Sequence, residues 1–129
     1  MPQVKIYGIN DSLNPIKKSL SEVVHSCMMD ALGMPKDKRA QRFFPIEKDN
    51  FFMPDGRSDA YTIIEIIMIE GRTVESKKKL IALLFERIES QIGIKVMDLE
   101  ICLIESPASN WGFRGIHGDE VKLNYKINV

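Results

Sequence analysis

The same pattern of strand, helix and strand occurs twice in this chain. "QVKIYGI" (3–9) alternates polar and apolar residues as a half-buried strand does, and "YTIIEIIMI" (61–69) is a second, more apolar strand. These strands, the helices after them and the glycines that end the helices are each offset by about 60 residues. The chain is therefore predicted to contain a duplicated β-α-β unit. Its pseudo-repeats are expected at about 1–50 and 58–106, followed by a C-terminal tail at 107–129.

Each predicted helix has one apolar stripe and recognisable end signals. The first is expected to begin at Asn14, a residue type that caps helix N-termini, and to stop at Gly33. The second is expected to begin after the cap Thr73 and to run to about Ile92, where Gly93 stops it. Two further strands are predicted, at 39–47 and 99–105.

Both faces of the strand at 61–69 are apolar. Its alternate residues point to opposite faces of the sheet: Ile63, Ile67 and Ile69 on one side, Ile64, Ile66 and Met68 on the other. Right-handed crossover connections place both helices on one face of a single sheet. We therefore expect an α/β subunit, with a four-stranded main sheet, two helices on one face and another subunit covering the other.

Composition narrows the class of protein. The chain has 129 residues, enough for a single domain, and its 18 basic residues equal its 18 acidic ones, which argues against nucleic acid as a partner. It has no apolar run of membrane-spanning length and no signal-peptide pattern, so a cytoplasmic protein without a membrane partner is expected. Cys27 and Cys102 are interpreted as reduced core residues, and no spacing predicts a metal site.

Two residues are candidates for ligand binding or catalysis. Arg72 directly precedes the Thr73 cap, where its charge opposes the helix dipole but suits the binding of a carboxylate; the alternative is a solvated loop arginine. Pro2 follows the initiator methionine at the head of the first strand. Removal of Met1 would leave a secondary α-amine, whose pKa lies far below that of lysine and is lowered further by nearby cations. Retention of Met1 would leave Pro2 without a basic nitrogen.

Several short motifs, in this order and spacing, resemble the tautomerase superfamily. They are Pro2, "ALGMP" (31–35), "EGRT" (70–73) and "NWGFRG" (110–115), which together with the repeat cover almost the whole chain. The likeness is greatest to the longer, fused members, the group that contains malonate semialdehyde decarboxylase. The resemblance implies a homotrimer with Pro2 as the catalytic amine, Arg72 as the anchor of a substrate carboxylate and Trp111 in the pocket wall.

The chain departs from the decarboxylases of this superfamily at two positions. Their aspartate beyond the first helix aligns with Lys38, while Asp37 lies one residue earlier; both are candidates for the pocket. Their second arginine is replaced by Glu70. The resemblance therefore favours a cofactor-independent enol–keto tautomerase for a small 2-oxo or 2-hydroxy-enoic acid. The alternatives are a decarboxylase or hydratase of malonate semialdehyde type, and a non-catalytic trimeric protein that binds a small ligand.

Overall fold

The computed structural model describes residues 1–121, 123 and 125–129, and its centre is one mixed four-stranded sheet. The strands lie in the order β2-β1-β3-β4; β1 pairs in parallel with β2, β3 in parallel with β4, and the two inner strands are antiparallel. Each half of the sheet is thus a parallel pair, as the repeat predicts. The strands are β1 (Gln3–Ile9), β2 (Gln41–Ile46), β3 (Thr62–Ile69) and β4 (Leu99–Ser106).

The first helical region begins earlier than predicted. The helical turn α1 (Asn10–Leu13) directly follows β1, a 3₁₀ turn (Asn14–Ile16) comes next, and α2 spans Lys17–Leu32. Asn14 is therefore not an N-cap, and that prediction was wrong. The physical reason is Leu13, which is only 1% exposed and packs against the backbone of Gly8, so its burial pulls the polar stretch into a helical turn.

The other helix ends are as predicted. The helix α3 spans Val74–Ile92, and the Thr73 hydroxyl accepts a hydrogen bond of 3.1 Å from the backbone N–H of Ser76. Gly33 and Gly93 end α2 and α3 with φ angles of +68° and +89°. These left-handed conformations favour glycine because other residues meet a steric clash there.

The core lies between the sheet and the two long helices, which pack on the same face, as expected. Its fully buried side chains come from alternate strand positions and from one stripe of each helix. They include Ile6, Ile64, Ile66 and Met68 from the sheet and Leu20, Val24, Leu80, Leu84 and Ile88 from the helices. Cys27 is also buried, as predicted. Cys102 is exposed, because its β4 position points away from the helices, and its interpretation as a core residue was wrong.

The opposite face of the sheet carries no helix; we call it the open face. It combines half-buried and exposed side chains, which include Lys5, Tyr7, Arg42, Phe44, Ile63, Glu65, Ile67, Cys102 and Ile104. The Tyr7 hydroxyl donates a hydrogen bond of 2.8 Å to Glu65, and the Tyr7 ring stacks on Phe44. Within the described residues, no helix is long and apolar enough to cross a membrane.

The C-terminal tail adds a small hairpin and a return to the second helix. The strands β5 (Gly112–Phe113) and β6 (Ile116–His117) pair antiparallel. Further along, Val129 O accepts a hydrogen bond of 2.8 Å from Thr73 N–H, so the chain's last residues lie beside the segment that precedes α3. Gly71 (φ +135°) allows this approach, since a Cβ atom there would come within 2.9 Å of Ile127 and Asn128.

Candidate active site

A cavity of about 360 Å³ opens beside the N-terminus. Two parts of the chain form its walls. The first is the start of β1 with the loop that leads into β2, which contributes Met1, Gln3, Lys38 and Ala40. The second is the tail, which contributes Trp111, Phe113, Arg114 and Tyr125. The sheet thus fixes one wall, and the hairpin of the tail forms the other.

The α-amino group of Met1 lies in an unusual electrostatic environment. Burial lowers its pKa below the ordinary value of 8.0, and the positive charges of Arg72, Arg114 and Lys38 lower it further, because each disfavours the protonated amine. Pro2 follows as a buried residue at the head of β1. The amine of this chain is therefore more easily deprotonated near neutral pH than an exposed one.

Arg72 is buried behind the cavity wall and is 6% exposed. Its guanidinium has weak partners: Nη1 lies 3.4 Å from Ile69 O and Nη2 lies 3.8 Å from Met34 Sδ, while Nε has no partner among the described residues. Burial lowers the pKa of Arg72. Arg72 is not among the described residues that line the cavity. It therefore acts on the cavity through its charge.

Trp111 stands in the cavity wall and is held by the tail's own backbone. Its N–H donates to Ala108 O at 3.1 Å, and its carbonyl accepts from Gly118 N–H at 2.7 Å. A Cβ atom at Gly118 would lie 2.7 Å from the Trp111 Cβ, so only glycine permits this packing. The indole meets the ring of Phe113 edge-on at 6.4 Å, which makes this side of the cavity aromatic.

The two neighbouring candidates after α2 are separated by the structure. Lys38 is half-buried and lines the cavity, whereas Asp37 is exposed and does not belong to the described lining. Glu70 is exposed as well. The position that the resemblance aligns with an aspartate of the decarboxylases is occupied by Lys38, which presents a cation to this cavity.

Besides uncharged lining residues such as Gln3 and Phe113, sequence reasoning missed two ionisable side chains of the cavity, Arg114 and Tyr125. Arg114 stands within the quoted motif "NWGFRG", next to a glycine in a tight turn, which was the available signal. Tyr125 packs against the core, and burial raises the pKa of its phenol while Arg72 and Arg114 oppose that rise. No pattern in the sequence of the tail predicts that Tyr125 lines the cavity.

The arrangement suits a small anionic molecule. Lys38 and Arg114 face the cavity, the tail supplies aromatic rings, and no carboxylate stands among the described lining residues. A substrate carboxylate would satisfy these cations, and the adjacent amine, when neutral, can accept a proton. In the parts of the chain that the structure covers, no three His, Cys, Asp or Glu residues are grouped to hold a metal ion.

Comparison with known proteins agrees with this geometry. A model of the "Tautomerase enzyme" family matches residues 38–114. "Probable tautomerase YusQ" of Bacillus subtilis (strain 168) is 28% identical over 118 residues, which cover 88% of this chain and 93% of that protein. The crystal structure of malonate semialdehyde decarboxylase has a TM-score of 0.80 at 26% identity, covering 92% of this chain and 99% of that one.

A fused 4-OT described as an asymmetric trimer has a TM-score of 0.80 at 22% identity and covers 91% of this chain and 96% of its own, which shows the shared fold. The family match spans more than half of the sequence and includes the walls formed by Lys38, Trp111 and Arg114. The chain therefore belongs to the tautomerase superfamily, a family of isomerases whose β-α-β fold it shares.

Proposed function

We propose that this protein is an enol–keto tautomerase of small 2-oxo or 2-hydroxy-enoic carboxylic acids, with Pro2 as base and acid after removal of Met1. The observation that carries the proposal is the Met1 amine in the wall of a cationic, aromatic cavity, where burial and the charges of Arg72, Arg114 and Lys38 lower its pKa. Pro2 is the next residue, and it is buried rather than part of the described lining, so removal of Met1 would place the new N-terminal amine near the same positive charges. A lowered pKa increases the neutral, proton-accepting fraction of such an amine near neutral pH.

The proposed reaction needs one proton acceptor and an anchored carboxylate. The neutral Pro2 nitrogen takes the proton of the enol hydroxyl at C2, and the electrons of the C2=C3 double bond then take a proton at C3 from the protonated amine. The negative charge that develops on the C2 oxygen is stabilised by Arg72, Arg114 and Lys38, whose charges all act on this end of the chain. Trp111 forms the wall against which the carbon chain lies.

The decisive experiment compares Pro2→Ala with the unaltered sequence, both verified by mass to lack Met1. Ketonisation of phenylpyruvate enol or 2-hydroxymuconate is measured by absorbance. We expect Pro2→Ala to lower kcat/KM by about 100-fold or more, in line with the usual contribution of a general acid–base group. Unchanged activity would overturn the role of Pro2.

A second candidate is decarboxylation or hydration of a three-carbon acid, favoured by the likeness to malonate semialdehyde decarboxylase. Lys38 at the cavity and exposed Glu70 speak against it, because the resemblance aligns these positions with an aspartate and an arginine of such enzymes. Product analysis by NMR with malonate semialdehyde tests the decarboxylase: acetaldehyde and carbon dioxide mark decarboxylation, and unchanged substrate counts against this reaction.

A third candidate is a binding protein without catalysis, in which Trp111 in the cavity wall and the charge of buried Arg72 serve to bind a carboxylate. Retention of Met1 favours it, because Pro2 would then be an amide nitrogen. Mass analysis of the protein made in its native host decides between the binding protein and the tautomerase. An intact N-terminal methionine supports the binding protein, and a mass lower by one methionine supports the tautomerase.

We also propose that each subunit is a single domain and that three subunits assemble with their open faces inward. The trimeric fused 4-OT supports this assembly, and so do the apolar side chains that the open face leaves uncovered in the subunit, among them Phe44 and Ile104 at 37% and 39% exposure.

A further inference from the structure

The turn of the tail hairpin has an unexpected residue at its first central position. Phe113 pairs with Ile116, so Arg114 and Gly115 are the two central residues of the turn, with φ angles of +56° and +75°. Two-residue turns with both central φ angles positive favour Asn-Gly, since asparagine and glycine tolerate this conformation. Arg114 is the one non-glycine residue with positive φ in the described ranges.

An arginine in this position is unfavourable for the turn itself. Its Cβ lies close to the following carbonyl in the left-handed region, a clash that asparagine offsets with local hydrogen bonds. Strained conformations of this kind are concentrated at functional sites, where the surrounding structure enforces them. The turn would be more stable with asparagine. The presence of arginine at this position is therefore explained by something other than the stability of the turn.

The turn places the Arg114 side chain at the rim of the cavity. Its guanidinium carbon lies 5.6 Å from the centre of the Phe113 ring, which orients the group by cation–π contact. No described carboxylate forms a salt bridge with it, while its charge lowers the pKa of the N-terminal amine and opposes the raised pKa of Tyr125. Arg72, in contrast, is buried outside the described lining of the cavity and makes only long contacts, with Ile69 O at 3.4 Å and Met34 Sδ at 3.8 Å.

We propose that Arg114 is the residue that contacts the carboxylate of the ligand directly and determines the preference for anionic ligands. Arg72 then contributes its charge from behind the wall. The inference rests on the proposed function in one respect, namely that the ligand is a small 2-oxo acid. A guanidinium held by an aromatic ring presents two parallel N–H donors, which match the two oxygens of a carboxylate.

The test substitutes the residue that the turn itself prefers. In Arg114→Asn we expect an unchanged or higher Tm, together with a KM for phenylpyruvate enol that rises about 10- to 100-fold, the effect of losing a hydrogen bond to a charged group. Arg114→Lys keeps the charge but not the paired donors, so its KM should lie between those of the unaltered protein and Arg114→Asn. Lys79→Gln removes an exposed positive charge on α3 and should leave KM unchanged.

Binding without turnover gives a second readout. Trp111 is the sole tryptophan and lines the cavity, so its fluorescence reports ligand binding. Arg114→Asn should weaken the binding of 2-oxobutanoate about 10- to 100-fold. It should leave the binding of 2-butanone, which lacks the carboxylate, unchanged. This titration is valid even if Pro2→Ala shows that the proposed reaction is wrong.

Two results would overturn the inference. The first is an unchanged KM and an unchanged 2-oxobutanoate affinity in Arg114→Asn, which would leave the carboxylate to Arg72 or Lys38. The second is an equal loss of affinity for 2-oxobutanoate and 2-butanone, since it would show a damaged cavity wall. If Arg114→Asn fails to fold, which would contradict the expected gain for the turn, Arg114→Gln is titrated in its place and judged by the same two results.

Discussion

At the scale of single residues, the site is defined by positive charges around one amine. Arg72, Arg114 and Lys38 come from three separate segments, and each disfavours protonation of the N-terminus. These charges serve two purposes in the proposed reaction, since the same field that attracts a carboxylate also lowers the pKa of the amine. Removing one charge should therefore weaken binding and change the pH dependence together.

The pH dependence of Lys38→Gln tests this coupling. Loss of the Lys38 charge lets the amine hold its proton more strongly, so the amine pKa rises towards its ordinary value. In the proposed reaction the neutral amine is the base, so the acid limb of the kcat/KM profile should move to higher pH. Lys79→Gln is the matched control, with an exposed lysine on α3 and an expected unchanged profile. A limb that stays in place or moves to lower pH in Lys38→Gln would contradict the proposal.

Arg72 should show a trade-off between stability and function. Its buried Nε has no partner among the described residues, and its other two nitrogens make long contacts, so the guanidinium is incompletely compensated for its lost hydration. We expect Arg72→Met to leave the free energy of unfolding equal or up to about 2 kcal/mol higher, as burial of methionine avoids this cost. Carboxylate affinity should fall in the same variant.

Denaturant unfolding and phenylpyruvate kinetics measure the two sides of that trade-off. A large loss of stability would show that Arg72 holds the fold, contrary to this expectation. Unchanged carboxylate affinity would remove Arg72 from the binding site.

Some residues of the site can be located from the sequence and others cannot, for a physical reason. Arg72 stands beside a helix end that the pattern locates, so its position relative to the sheet can be inferred. Arg114 and Tyr125 lie in a tail without a long periodic segment, and only the folded chain brings them to the N-terminus. The choice between Asp37 and Lys38 depends on the direction of one loop residue, which no periodicity determines.

At the scale of elements, the N-terminus of α3 depends on one hydroxyl. Thr73 Oγ1 accepts from Ser76 N–H at 3.1 Å, while the backbone N–H of Thr73 is held by Val129. Thr73→Ala removes the first bond and keeps the second, so we expect a loss of about 1 kcal/mol in the free energy of unfolding. Ser90→Ala, on the exposed side of the same helix, is the control and should cause no loss. Equal stability of both variants would contradict the capping role.

The elements themselves follow closely from the sequence. The strands and α3 lie within about two residues of their predicted ends because alternation and helical periodicity are strong there and the capping residues are unambiguous. The error at Asn14 has the opposite cause. Its neighbours are typical turn residues, and the burial of a single side chain, Leu13, outweighs their local preference.

At the scale of the whole molecule, the open face is the surface through which the subunits are proposed to meet. Its β1–β2 half carries the basic Lys5 and Arg42, whereas its β3–β4 half carries Glu65 and exposed apolar residues such as Ile104. The two halves differ in charge, so the basic half of one subunit can face the acidic half of the next. Repetition of such a head-to-tail contact closes a ring, as the proposed trimer requires.

A lysine at Ile104 tests this assembly. Ile104 is 39% exposed on the open face of β4, so the substitution should be tolerated by the subunit fold but should bury an unpaired charge in the trimer. We expect sedimentation to show a trimer for the unaltered protein at micromolar concentration and a monomer for Ile104→Lys. Met97→Lys makes the same change at a residue that is 61% exposed and lies outside the sheet, and it should remain trimeric. A stable monomer of the unaltered protein, or a trimer of Ile104→Lys, would show that the open face is not the interface.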